Sequence, residues 1–191
     1  MTMSATGKTF PAELLTPAEV QALIAACSPT SRSGSRNRAL LTLLYRSGLR
    51  ISEAIGDPGR PEQAVLLPGG QKIQKARDPI PPLRVADVNL AAHTVRLLRT
   101  KSGKPQTRGF HPSATDALAR WLDVRRQLGH NGRAPLFCTL RDGEPLSAQY
   151  VRALLGRLAR KAGIEKRVHP HAFRHTFAVE PVRWPGHRSR S

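Results

Sequence analysis

Apolar residues recur at helical spacing in five stretches of this chain and alternate in a sixth. The first helix opens at Thr16-Pro17-Ala18-Glu19, where Thr16 caps, Pro17 takes the first helical position and Glu19 completes a capping box; Val20, Leu23 and Ile24 form its buried stripe. Ser28 to Ser35 is polar and reads as a loop. A second helix is expected from about Arg36, turning Leu40, Leu41, Leu43 and Leu44 inward and stopping at Gly48, a left-handed cap. Tyr45 lies on it and reads as a core aromatic beside the leucines. From His93 to Arg99 the pattern becomes strand-like, with Val95 and Leu97 on one face and Thr94 and Arg96 on the other. Lys101 to Pro105 then makes a turn, and Thr107 to His111 returns as the partner strand.

Ser113-Ala114-Thr115-Asp116 reads as another capping box, starting a helix that buries Leu118, Trp121, Leu122 and Val124, ends at Gly129 and carries Arg120, Arg125 and Arg126 outside. Ala134 to Leu140 gives a short apolar piece around Phe137. Ser147 caps a helix running through Val151, Leu154, Leu155 and Leu158 to Gly163, with Arg152, Arg157, Arg160 and Lys161 on its polar side. The last helix starts at Pro170; its spacing puts His171 and Arg174 on one face and Phe173 and Phe177 on another. These elements predict an α+β fold, mainly α: a helical bundle with one small antiparallel sheet. Gly56 to Pro82 breaks the pattern with six Pro and four Gly in 27 residues, and is expected to be a long mobile loop.

Charge sharpens this picture. The 191 residues hold 31 Lys plus Arg against 13 Asp plus Glu, a net charge of +18. Such an excess concentrates phosphate chains and makes their binding salt-dependent, so nucleic acid is the expected partner. Arginine outnumbers lysine 24 to seven, which favours forked contacts to phosphate but also follows from GC-rich coding. No run of about 18 apolar residues exists and Met1 to Phe10 lacks an apolar signal core, so a soluble, cytoplasmic, nucleoid-associated protein with no membrane partner is expected. Cys27 and Cys138 lack metal-type spacing and read as reduced core thiols. No carboxylate cluster suited to a metal occurs, so no cofactor or metal is expected, and two-metal or acidic-triad chemistry is disfavoured.

His-x-x-Arg occurs four times, at His93, His130, His171 and His187, so the spacing identifies nothing by itself. The His171 copy stands apart because it sits on a Pro-started helix with a Phe-Phe anchor, and because a second arginine site lies upstream at Tyr45-Arg46-Ser47-Gly48-Leu49-Arg50-Ile51-Ser52-Glu53. As a pair, the two stretches resemble the catalytic domain of tyrosine recombinases, the phage-integrase family. The resemblance covers roughly residues 14–178, after a flexible N-terminus of residues 1–13, and treats 56–82 as an insertion.

The resemblance implies site-specific recombination or integration of double-stranded DNA, alongside other recombinase subunits and without a cofactor. Arg50 and Arg174 would clamp the scissile phosphate, with His171 contacting it or moving a proton; forked guanidiniums suit the charge that builds on its nonbridging oxygens. Lys101, in the hairpin turn Thr100-Lys101-Ser102-Gly103, would protonate the departing 5′ oxygen, a role for which Lys104 is the less favoured candidate. Glu53 and His175 are expected to support the site, Glu53 by orienting Arg50.

The resemblance requires a nucleophilic tyrosine after the His171 stretch, and here the chain departs from the pattern. Residues 179–191 contain two prolines and no tyrosine, and Tyr150 precedes the stretch. Gly186-His187-Arg188-Ser189 resembles the family's Gly-His-x-Ser segment but stands too close to Arg174. The expectation is a frame change or truncation soon after Phe177 and a chain inactive by itself, with a non-catalytic basic DNA-binding module as the alternative.

Overall fold

The computed structural model describes residues 14–67, 70–100, 103–130 and 132–179. Helix α1 (Pro17–Ala25) begins on the expected box: Thr16 Oγ1 accepts from the Glu19 amide at 3.2 Å and Glu19 returns to the Thr16 amide at 2.7 Å. Helix α2 (Arg32–Ser47) starts earlier than the apolar pattern suggests. Ser31 caps it by accepting from the Gly34 amide at 3.0 Å, so the polar run from Ser28 to Ser35 holds the first turn rather than a loop. Gly48, at φ 62°, closes α2 in the left-handed region. Leu40, Leu41, Leu43, Leu44 and Tyr45 are all buried, so α2 forms the core's spine, touching α1 on one side and, on others, the helices introduced below.

A short helix α3 (Ile51–Ile55) follows. The segment from Gly56 to Pro82 then corrects the expectation of a structureless loop. Bridges pair Asp57 with Ile80 and Arg60 with Arg77, and strands β1 (Gln63–Leu67) and β2 (Gly70–Gln74) continue the ladder as an antiparallel hairpin. Proline is tolerated here because a two-stranded ribbon has only outer edges, and Pro58, Pro61 and Pro79 fall between paired residues.

The other sheet has three strands: β3 (Val88–Asn89), β4 (Thr94–Leu97) and β5 (Gln106–Gly109), in that order and antiparallel. Val95 and Leu97 face the core as the alternation required. Helix α4 (Thr115–Gln127) lacks the expected Ser113 cap; residues 112–114 form a single 3-10 turn instead, in which His111 Nδ1 accepts from the Ser113 amide at 3.2 Å. Arg125 is also corrected, from the outer side to the core. Its guanidinium donates to the carbonyls of Pro135 (3.2 Å), His130 (3.3 Å) and Ala134 (2.7 Å), which satisfies the buried charge with oxygens of the loop that follows.

Helix α5 (Ala148–Lys161) is capped by Ser147 as expected, and α6 (Pro170–Val179) starts at Pro170. Two members of the basic flank of α5 are engaged within the protein. Lys161 donates to the Ala26 carbonyl at 2.9 Å, and Arg157 lies over the Tyr150 ring. Phe173 is fully buried, and Thr176 Oγ1 donates to the Leu15 carbonyl at 2.7 Å, tying α6 to the approach to α1. The fold is the mainly helical α+β arrangement anticipated, with α2 packed against α1, α4 and α6. Among the described residues, no helix is long and apolar enough to cross a membrane.

Candidate functional site

The cap of α2 and the start of α3 place Arg50. Gly48 turns the chain sharply, Leu49 is buried, and Arg50 follows as the residue before α3. Glu53, one helical turn on and 1 % exposed, holds that residue in two ways. One carboxylate oxygen accepts from the Arg50 amide at 2.8 Å, the other from its guanidinium at 3.2 Å. A buried carboxylate with this pairing is satisfied by a single residue's backbone and side chain, which fixes the guanidinium's direction.

Arg174 arrives from the far end of the sequence. Phe173 anchors α6 in the core, and Arg174 Nη1 donates to the Gly48 carbonyl at 2.5 Å, so the guanidinium is held against the turn that launches Arg50. Its pKa is lowered, first by desolvation and then by the positive charges of Arg50 and Arg108, with Glu53 opposing. His171, one turn earlier, is also lowered: by desolvation first, then by His169, His175, Arg50 and Arg174. The two arginines and the imidazole therefore share one electrostatic neighbourhood although Arg50 and Arg174 are 124 positions apart in the sequence.

Arg50 and His171 also line a cleft of about 1010 Å³. One wall is the base of the hairpin arm, with Pro58, Pro79, Ile80 and Pro81; the other comes from Pro145, Leu146 and Arg152. The arm is thus a wall of this cleft. A cleft lined by Arg50, His171 and Arg152 beside proline and aliphatic side chains can receive an extended anion whose remaining atoms lie against an apolar surface.

The remaining candidates divide. His175 is exposed on α6, and its charge acts on His171. Lys104 is exposed in the β4–β5 turn, where its carbonyl accepts from the Thr100 amide at 3.2 Å and hydroxyl at 3.0 Å. Lys101 and His187 lie outside the described residues, as does the tail from 180 onward. Tyr45 is 1 % exposed with the Arg46 guanidinium stacked 4.4 Å from its ring centroid. The Tyr150 hydroxyl accepts from Arg36, which itself is buried and bonded to the Cys138 carbonyl at 2.9 Å. Arg108 on β5 escaped the sequence reading, although counting alternate positions back from the apolar Phe110 places it on the inward side of its strand.

The profile of the Phage integrase family matches residues 78–183, more than half of the chain. The tyrosine recombinase XerD of Ralstonia nicotianae (strain ATCC BAA-1114 / GMI1000) is 32% identical over 167 residues, covering 86% of this chain and 46% of the relative. A crystal structure of the XerA recombinase superposes with a TM-score of 0.65 at 25% identity, over 88% of this chain and 50% of that one. The XerH recombinase bound to its difH substrate before cleavage shares the fold, with a TM-score of 0.61 at 21% identity over 88% of this chain and 42% of that one. The chain spans about half the length of the curated relatives it matches. With the profile covering both the β4–β5 hairpin and α6, the chain belongs to the phage integrase family of tyrosine recombinases.

Proposed function

We propose that this chain is a recombinase-type domain that grips a backbone phosphate of double-stranded DNA for site-specific strand exchange, and that by itself it forms no covalent bond to DNA. The observation that carries the reading is the meeting of Arg174, held on the Gly48 carbonyl, with Arg50, launched from the same turn, in one electrostatic neighbourhood with His171. Two guanidiniums fixed by different elements can donate forked hydrogen bonds to the nonbridging oxygens of one phosphate, where charge develops during attack. Glu53 sets the aim of Arg50. His171, neutral at neutral pH, can contact the phosphate or accept a proton, with His175 alongside. Lys101, with Lys104 as second choice, would protonate the leaving 5′ oxygen from the hairpin.

Attack on phosphorus by a tyrosine hydroxyl would form the phosphotyrosine bond and expel that 5′ oxygen. These 191 residues include two tyrosines, and both are engaged elsewhere: Tyr45 in the core, Tyr150 on Arg36. That favours a domain which binds DNA, beside other recombinase subunits, without supplying the nucleophile; occupying sites or modulating an intact recombinase is the corresponding role. XerH was solved on its difH substrate, and the excess of +18 suits the same class of partner here. The setting is the DNA of the cytoplasm.

A nicked suicide duplex tests both halves. The expected result is salt-sensitive binding with no product that survives a denaturing gel. Indifference to duplex DNA at low salt would remove the reading, and a denaturation-resistant adduct would show that the chain does carry a nucleophile.

A further inference from the structure

Strand β5 carries an arginine on its wrong side. Arg108 stands opposite Val95 in the β4–β5 ladder, and Gln106 stands opposite Leu97; both partners are buried. Directly opposed residues of an antiparallel pair point to the same face, so Arg108 leaves the sheet on the side that faces the core. Thr107 and Arg96 occupy the outward side, where a solvating arginine would ordinarily be placed.

An inward guanidinium needs acceptors, and Arg108 is short of them. Its Nη2 donates to Gln106 Oε1 at 3.2 Å, while its Nε is buried with no hydrogen-bond partner among the described residues. Arg108 and Arg50 both act on Arg174, and the carboxylate acting on Arg174 is Glu53, already paired with Arg50. Three guanidiniums face one carboxylate. Such a cluster is repulsive and underbonded, and both deficits are relieved by an anion with several acceptor oxygens.

We infer that Arg108 is a third guanidinium of the phosphate seat, directed from the β4–β5 sheet at the backbone phosphate that Arg50 and Arg174 hold from the helices. The inference rests on the DNA-phosphate reading above and adds a contact to it. The three cations come from three elements: the α2–α3 turn, α6 and β5. A tetrahedral phosphate would be gripped from separate directions, which fixes its orientation as well as its charge.

The test compares Arg108→Gln, Arg108→Lys, Arg50→Gln and Arg174→Gln with the parent chain, using a random-sequence duplex and fluorescence anisotropy over a series of KCl concentrations. Losing one phosphate contact lowers the slope of log K against log salt by about 0.9. R108Q is expected to show that drop and roughly tenfold weaker binding at low salt, while R108K keeps the slope. R108Q should also melt no lower than the parent, because the change relieves repulsion between the Arg108 and Arg174 guanidiniums. An unchanged slope in R108Q would overturn the inference. So would failure to fold, or a melting temperature lower by more than about 5 °C, since either assigns Arg108 to the scaffold. Reduced slopes in R50Q and R174Q beside a parental R108Q sink this inference alone; absence of duplex binding by the parent sinks the reading beneath it.

Discussion

Replacing Gly48 by alanine perturbs the turn on which both arginines of the proposed clamp depend. Gly48 sits at φ 62°, where an L side chain costs about 1–2 kcal/mol. The new methyl would also meet the Phe177 ring, with Cε1 at 2.7 Å and Cγ at 3.2 Å. A rigid ring in a packed position cannot yield that space without moving α6, and overpacking of this kind costs about 1–3 kcal/mol. The two effects sum to about 2–5 kcal/mol, a drop of roughly 4–20 °C in melting temperature for a chain of this size. Because Arg174 donates to the Gly48 carbonyl, the displacement should also weaken duplex binding beyond the loss of stability. Circular dichroism melting and anisotropy on G48A, F177A and the double variant measure both. In the F177A background the cost of G48A should shrink to the backbone share, about 1–2 kcal/mol. An equal cost in both backgrounds would show that the Phe177 contact has no part in it, and a parental melting temperature for G48A would refute the argument outright.

Glu53→Ala leaves the Arg50 amide without its acceptor and the guanidinium without its counter-charge, so a loss of about 2–3 kcal/mol in urea unfolding is expected together with weaker DNA binding; Glu53→Gln should retain most of the stability and less of the binding. Truncating Arg125 to alanine abandons three half-buried carbonyls and should cost about 3 kcal/mol in the same assay, with the salt slope of DNA binding unchanged. The lowered pKa of His171 means the unfolded chain takes up that proton more readily than the folded one. Its share of stability is therefore fully present at neutral pH, falls as pH drops through about 6.5, and is lost completely below the folded pKa. Urea midpoints from pH 7.5 to 5 should decline more steeply in the parent than in H171Q, and parallel profiles would contradict this. Cys27 and Cys138 are buried with thiol pKa values raised by that burial, so Ellman's reagent should label them only at the rate of unfolding; immediate labelling of either would show a more open core.

Local rules made much of this molecule legible in the sequence. Thr16, Ser147, Pro170 and Gly48 set helix ends through hydrogen bonds and backbone angles that span a few residues, and Val95 with Leu97 declared the inward face of β4. The resemblance of the Arg50 and His171 stretches pointed to the phage-integrase family, and α6 docking on α2 brings Arg174 to the Gly48 carbonyl, two residues before Arg50. What the sequence left open depended on contacts between distant segments. Residues 56–82 lack a single sustained period because a two-stranded ribbon needs no buried face, so only the pairing of Asp57 with Ile80 and Arg60 with Arg77 reveals the arm. Arg125 looked solvated because its acceptors belong to the loop after its own helix. Arg108 shows the division most sharply: alternation could assign its side of the strand, but the two other guanidiniums it meets come from elements 58 positions before it and 66 after it. Spacing along a chain constrains neighbours within a turn or a strand; the sum of charges in a pocket is set only when packing brings separate elements together.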